Sequence, residues 1–400
     1  MIAFEPTEDQ KLMQDSVAAF ARGLRGRIRE IERGRAVPED LRRTAHDLGL
    51  GLVAIPEALG GSGLGLMTAV LLEEEVAFGD PAAAFGFGGP GAFGLAVAEL
   101  AEPERARALL APFAGSDGYA RFGAVAWGER RACRERPGMV TTATRTPRGW
   151  TLDGEKAYVV NADRAEAFVV FAQEDAAKGW GGIGAFVVAR GAAGLGVTPR
   201  ETSLGLDAAS FGGLTLAGVE VSEADRLPGD AAGVIRFFAK QALLVAARGV
   251  GLARAAFETT RDYCEERRAF GKPIGHFQAV AFTLADRAMD VEASRALVWR
   301  AATAWDAGAQ ERDALLHTAR AVAFTHEAAM RCGDDAVQLH GGSGFMRDYP
   351  VEKWMRDAKQ LQLCAMTAEH ADQLAAVIEL GRPLDLGEVL PSAESQNAFV

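Results

Sequence analysis

From Glu8 onward apolar residues recur at a near-helical spacing. Leu12, Val17, Phe20 and Leu24 mark one helix, and Leu41, Ala45 and Leu48 mark a second that Gly49 and Gly51 stop. From about Arg121 the texture changes to short runs rich in β-formers, Gly149-Trp150-Thr151-Leu152, Ala157-Tyr158-Val159-Val160, Phe168-Val169-Val170-Phe171 and Gly184-Ala185-Phe186-Val187-Val188. Gly, Asp and Asn separate these runs, which predicts a sheet of short strands reaching roughly Leu227. From Gly233 to about Leu380 long Ala-rich amphipathic helices return. They are broken at Gly271-Lys272-Pro273-Ile274-Gly275 and His340-Gly341-Gly342-Ser343-Gly344, and they predict an antiparallel bundle. Residues from Gly381 onward carry Pro, Gly, Ser and Asn without periodicity and read as a tail or a partner-binding arm. The pattern is α+β, with an N-terminal helical domain over 1–120, a middle β-domain over 121–232, a C-terminal four-helix bundle over 233–380 and a tail over 381–400.

Composition narrows what such a chain can bind. At 400 residues, with 49% of them hydrophobic, it can bury a large core in two or three domains. A formal net charge of −11 argues against nucleic acid and anionic membranes, both of which need a basic face, and favours a small-molecule or protein partner. No basic n-region follows Met1 and no apolar stretch has the length of a membrane span, so the expected location is the cytoplasm. Cys133, Cys264, Cys332 and Cys364 are far apart and unclustered with histidine, which signals neither a zinc site nor a disulfide framework.

Two motifs in the C-terminal half carry chemistry. The first is Glu266-Arg267-Arg268-Ala269-Phe270-Gly271-Lys272-Pro273-Ile274 with Phe277-Gln278; the second is Gln338-Leu339-His340-Gly341-Gly342-Ser343-Gly344-Phe345 with Arg356-Asp357-Ala358. A pyrophosphate needs a fixed cation and backbone amides that it can approach closely. Arg267 supplies the cation, Gly341, Gly342 and Gly344 leave the backbone bare, and Gln278 and Gln338 offer amides to an adenosine. Taken singly, each has a plainer explanation: Arg267 as a surface charge, Phe270 as core, the glycines as an ordinary interhelical loop. Together the motifs resemble both C-terminal signatures of acyl-CoA dehydrogenases, and Pro56-Glu57-Ala58-Leu59-Gly60-Gly61-Ser62-Gly63-Leu64 with Glu73-Glu74-Glu75 resembles that family's first domain. The resemblance covers nearly the whole chain apart from its tail. It implies that FAD is the cofactor, that Phe270 packs beside it, and that these residues reach across a subunit interface to the ADP half of a neighbour's FAD.

The chain departs from the family where chemistry is done. Typical members abstract a proton with a glutamate that follows Arg-Asp-Ala in a Tyr-Glu-Gly-Thr-like stretch. Here that stretch is Cys364-Ala365-Met366-Thr367, and alanine accepts no proton. Members that carry the glutamate on an earlier helix would have it at about Gln241, with Ala242 next. The family's Thr-Glu-Pro and Gly-Ser-Asp runs, which wrap the flavin, correspond to Gly128-Glu129-Arg130 and Cys133-Arg134-Glu135, and Tyr158-Val159-Val160 stands where a hydroxyl near the flavin N5 atom is expected. The ADP clamp is retained while ring and acyl contacts are lost.

Other residues have competing explanations. Cys364 could be a nucleophile or a small buried residue on a helical stretch. Glu369, four residues past Ala365, could be a displaced base on the same helix face, or one of a solvated pair with His370. Lys240 could hold a phosphate or thioester oxygen, or simply be exposed. The Arg130-Arg131-Ala132-Cys133-Arg134 run could meet a coenzyme A phosphate or the acidic face of a carrier protein, or be a solvated loop. His276 and His340 suit packing or hydrogen-bonding roles, and His46, His317 and His326 have no metal-ligand partner at useful spacing. The chain then has three possible functions. It is a subunit of an FAD-dependent acyl-CoA or acyl-carrier-protein dehydrogenase that pairs with a base-bearing paralogue, in a homo- or hetero-oligomer. Alternatively it is a stand-alone flavin-dependent oxidoreductase or monooxygenase of the same fold, or a flavin-free acyl-binding protein.

Overall fold

The structure, a computed structural model, describes residues 5–131, 133 and 136–390. The N-terminal helices are α1 Glu8–Gly26, α2 Ile28–Gly34, α3 Glu39–Asp47, α4 Gly65–Gly79, α5 Ala83–Gly86, α6 Gly91–Leu100 and α7 Pro103–Ala114. Thr7 opens α1 with a capping box: its hydroxyl accepts from the Gln10 N–H while the Gln10 side chain accepts from the Thr7 N–H. Val17, Phe20 and Leu24 are buried as their spacing predicts, but Leu12 is 69% exposed, because it lies off the stripe that the other three share. In α4 the apolar residues run all round the helix and it packs between α1 and α8, so it is a core helix.

The β-domain holds β1 Gly123–Ala126, β2 Thr142–Thr146, β3 Gly149–Val160, β4 Ala167–Gln173, β5 Ile183–Ala189, β6 Leu195–Val197, β7 Phe211–Ser222 and β8 Arg226–Leu227. They form one sheet in the order β6-β7-β3-β2-β4-β5-β8, with β1 added in parallel on β4. The two runs expected around Asp153-Gly154 are a single strand, β3. Gly154, at φ +143, absorbs a register shift against β7 where a Cβ would strike Thr141, so the chain bulges without turning.

The C-terminal part contains α8 Ala231–Glu266, α9 Gln278–Asp306, α10 Glu311–Leu339, α11 Val351–Leu361 and α12 Ala368–Glu379. Asp230 caps α8 by accepting from the Gly233 N–H at 2.9 Å. Helices α8, α9 and α10 pack up-down-up, with α11 and α12 against α10. The segment expected to be a tail is ordered in part: α13, Leu386–Val389, buries Val389 and Leu390, and the Val389 carbonyl lies 3.2 Å from His370 Nε2. The rest of that segment, from residue 391, lies outside the described residues.

The three parts are joined at a buried ionic centre. Lys353 of α11 donates to Asp80 Oδ1, at the end of α4, at 2.8 Å, and to Asp357 Oδ2 at 2.5 Å, with all three side chains fully buried. Asp357 Oδ1 accepts from the Leu206 N–H of the β-domain at 2.6 Å. Two carboxylates around one ammonium raise the lysine pKa, while burial, with the second carboxylate nearby, pushes the Asp80 carboxyl upward despite the lysine.

Candidate functional site

A cavity of about 940 Å³ opens where the domains meet, lined by residues of α4, α8, the β-domain and the turn between α11 and α12. Trp127 sits in its wall with its ring edge-on to Phe238 at 4.5 Å and stacked on Trp180 at 6.1 Å. Ala365 lines the cavity from that turn at φ +64. Gln241 lines it from α8. The two positions at which counting placed a catalytic carboxylate therefore face one space, and both lack it.

The turn changes two expectations. Since α11 ends at Leu361 and α12 begins at Ala368, Ala365 and Glu369 do not share a helix face. Glu369 still lines the cavity, from the first turn of α12. Cys364 likewise lies in the turn, not on a helix, and burial pushes its thiol up to about 12, against the pull of nearby Arg248, so it behaves as a small apolar residue.

At the β-domain end, Glu129 is buried and bound by Lys156 Nζ at 2.9 Å and by the N–H groups of Val140 and Thr141. Burial alone would raise the Glu129 pKa, but Lys156 and these donors hold it below the usual range. The Gly128 carbonyl accepts from the Ala157 N–H at 2.8 Å, and Tyr158, at φ +54, turns β3 where its register against β7 slips. Arg130 is ion-paired to Glu201 and lies 5.6 Å from the centre of the Tyr158 ring, so it is already engaged within the chain. Arg134 and Glu135 lie outside the described residues. Lys240 is not free either: it pairs with Glu99 at 2.5 Å and lies 5.7 Å from the Trp305 ring centre.

The clamp residues gather at one end of the bundle. Arg267 ends α8 and precedes a two-stranded hairpin, Arg268–Ala269 with Lys272–Pro273, whose tip is Phe270 at φ +51 and Gly271 at φ +85. Phe270 is 97% exposed, which excludes the core role, and its ring is edge-on to Phe277 at 6.2 Å. Gln278 opens α9 and Gln338 ends α10, both exposed. His340 is buried and stacked on Tyr263 at 4.1 Å, with Nδ1 2.7 Å from the Ala336 carbonyl, and the Tyr263 hydroxyl donates to the His340 carbonyl. That stack holds the Arg267 and Gly341 loops side by side.

The glycines differ among themselves. A Cβ on Gly341, at φ +56, or on Gly342 would meet nothing within 4 Å, so their backbone is open. A Cβ on Gly344 would sit 2.1 Å from the Val337 carbonyl. Gly344 is therefore required by its packing on α10, and its N–H is taken by the Gly341 carbonyl at 2.9 Å.

A helical domain, a sheet and a helical bundle enclose one deep cavity, an architecture that by itself does not fix a function. The chain matches the acyl-CoA dehydrogenase N-terminal domain over residues 7–117, the middle domain over 124–219 and the C-terminal domain over 232–371. It belongs to the acyl-CoA dehydrogenase family, whose members generally bind FAD. It is 33% identical over 361 residues to cyclohex-1-ene-1-carbonyl-CoA dehydrogenase of Geobacter metallireducens, covering 89% of this chain and 94% of that protein. Butyryl-CoA dehydrogenase from Megasphaera elsdenii superimposes with a TM-score of 0.87 at 27% identity, covering 95% of this chain and all of the other. An FAD complex of PigA, 22% identical, shares the fold with a TM-score of 0.86 over 95% of this chain and 99% of PigA.

The two ends of the site offer different groups to a flavin dinucleotide. At the bundle end, Arg267 is exposed with no ion pair among the described residues, beside the open backbone of Gly341 and Gly342, which suits a pyrophosphate. At the cavity end, Val160 presents an isopropyl group and no hydroxyl, and the Gly128 carbonyl is taken by the Ala157 N–H, while Tyr158, Thr202, Ser203 and Thr367 bring hydroxyls to the same lining. Among the described residues no cluster of three or more His, Cys, Asp or Glu is placed to hold a metal, and no helix is long and apolar enough to cross a membrane.

Proposed function

We propose that this chain is a non-catalytic subunit of an FAD-dependent acyl-CoA, or acyl-carrier-protein, dehydrogenase. Arg267, Phe270, Gln278, Gln338, Gly341 and Gly342 hold the ADP half of a partner chain's FAD, with Gly344 closing the loop against α10. One observation carries the reading: none of these residues lines the chain's own cavity, where both base positions are filled by Gln241 and Ala365. A clamp that faces outward from a base-free pocket is useful only to another chain. Phe282 and Met289 on α9 and Phe345 and Met346 after the glycine loop are exposed, which gives that partner apolar surface to cover. FAD, when bound, accepts a hydride in such enzymes, and this chain's contribution is to bind and orient it.

The test is the visible spectrum of the purified chain, alone and co-expressed with a base-bearing paralogue. A colourless chain alone and one FAD for each heteromeric pair are expected. A yellow homo-oligomer with one flavin per chain would contradict the proposal. The size of the cavity supports a second reading, flavin-free acyl binding, which predicts that the chain takes up octanoyl-CoA while remaining colourless in every partnered form.

A further inference from the structure

The run Glu73-Glu74-Glu75 divides its work. Glu74 is bound by Arg254 and Arg295, and Glu75 by Arg254, which staples α4 to α8 and α9. Glu73 instead lines the cavity together with Arg248 of α8. Arg248 is buried in an otherwise apolar stretch of helix, Ala242 to Ala247 before it and Val250 to Ala253 after it. It donates from Nε to Glu73 Oε2 at 2.7 Å and from Nη2 to Glu73 Oε1 at 3.0 Å, and its guanidinium carbon lies 4.2 Å from the centre of the Phe85 ring.

A guanidinium carries five N–H donors, and two are used here. Among the described residues no acceptor lies within hydrogen-bond distance of Nη1, and the side chain has the cavity on one side. The spare donors open onto the cavity, where a bound acceptor can complete them. Interdomain stapling does not account for the pair, because Glu74 and Glu75 already perform it and do not line the cavity. The Glu73 carboxylate cancels the guanidinium charge, so the spare N–H groups favour a neutral acceptor over a second anion. Phe85, Leu244 and Val245 supply apolar walls around that point.

The geometry points to Arg248 as a specificity-determining residue that selects acyl groups bearing a hydroxyl or keto oxygen over plain alkyl chains. This rests on the reading that the cavity takes an acyl thioester. The experiment is calorimetric titration of the full chain, and of its heteromer, with octanoyl-CoA, suberoyl-CoA and hydroxyoctanoyl-CoAs whose hydroxyl steps outward along the chain. At least one hydroxy thioester binds about tenfold tighter than octanoyl-CoA, the scale of one hydrogen bond to a charged donor. The double variant Glu73→Gln/Arg248→Met, which leaves no orphaned charge, loses that preference. Octanoyl-CoA binding as tightly as every hydroxy probe overturns the assignment, and this comparison needs no variant to fold. So does a preference that survives the double substitution, or tightest binding by suberoyl-CoA, whose acyl chain ends in a carboxylate. Failure of every thioester to bind overturns the acyl reading of the cavity along with it.

Discussion

Replacing Lys353 with methionine removes the cation from the centre that joins the three parts of the molecule. The two carboxylates it serves, Asp80 and Asp357, are fully buried, and Asp80 Oδ2 already has no hydrogen-bond partner. Breaking a buried ion pair from one side costs about 3–5 kcal/mol, because the remaining charge keeps its desolvation penalty, and that is a large share of a domain's usual stability. Urea unfolding should be followed by far-ultraviolet circular dichroism and by tryptophan fluorescence, which includes the neighbouring buried Trp354, because a chain of several parts need not unfold in one step. The triple variant Asp80→Asn, Lys353→Met, Asp357→Asn keeps the acceptor for the Leu206 N–H and removes every charge, so it should return to within about 2 kcal/mol of the wild type. The folded state holds the Asp80 proton more tightly than the unfolded chain does, so the stability this group contributes is present in acid and is lost as pH rises through its folded pKa. The deficit of the single variant should accordingly narrow as the pH is lowered. A Lys353→Met protein within about 1 kcal/mol of the wild type, at neutral pH and by both probes, would refute the reasoning.

His326 is fully buried with both ring nitrogens unpartnered, and burial lowers its pKa to about 4 against the weaker opposing pull of Glu369. The unfolded chain takes up the proton first as pH falls, so this group alone should withdraw about 3 kcal/mol of stability between pH 6.5 and 4, and His326→Leu should remove that contribution from the urea-unfolding profile. Ala365→Glu restores a carboxylate at a position whose left-handed backbone alanine already tolerates, so the stability change should stay within about 1 kcal/mol. The variant alone should still fail to reduce an artificial electron acceptor with octanoyl-CoA and added FAD, and measurable turnover would show that the cavity end holds a flavin after all.

Much of the architecture was legible because periodicity and breakers report on local burial. Leu41 and Ala45, on a face stopped by Gly49, marked α3, and unbroken runs of β-formers marked β4 and β5. Asp153-Gly154 misled because a glycine at positive φ serves a bulge as well as a turn, and only the partner strand decides between them. Residues 386–390 looked like tail because burial of Val389 and Leu390 depends on contacts remote in sequence. In the site, the two candidate base positions were found by counting along motifs. The turn that separates Ala365 from Glu369 was not, since Met366-Thr367 gives no breaker signal beyond the Thr367 cap. The Glu73–Arg248 pair was missed because 175 residues separate its partners, and nothing in a run of three glutamates tells which of them faces a cavity.

The claim that this chain completes a partner's flavin site is tested most directly by substituting Arg267 in this chain alone and counting flavin in the heteromer. Arg267→Glu places a carboxylate where a pyrophosphate is expected. The account predicts that the pair still assembles on a sizing column, while its flavin absorbance falls from one FAD per pair to a small fraction of that. An unchanged flavin content in the assembled pair would contradict it.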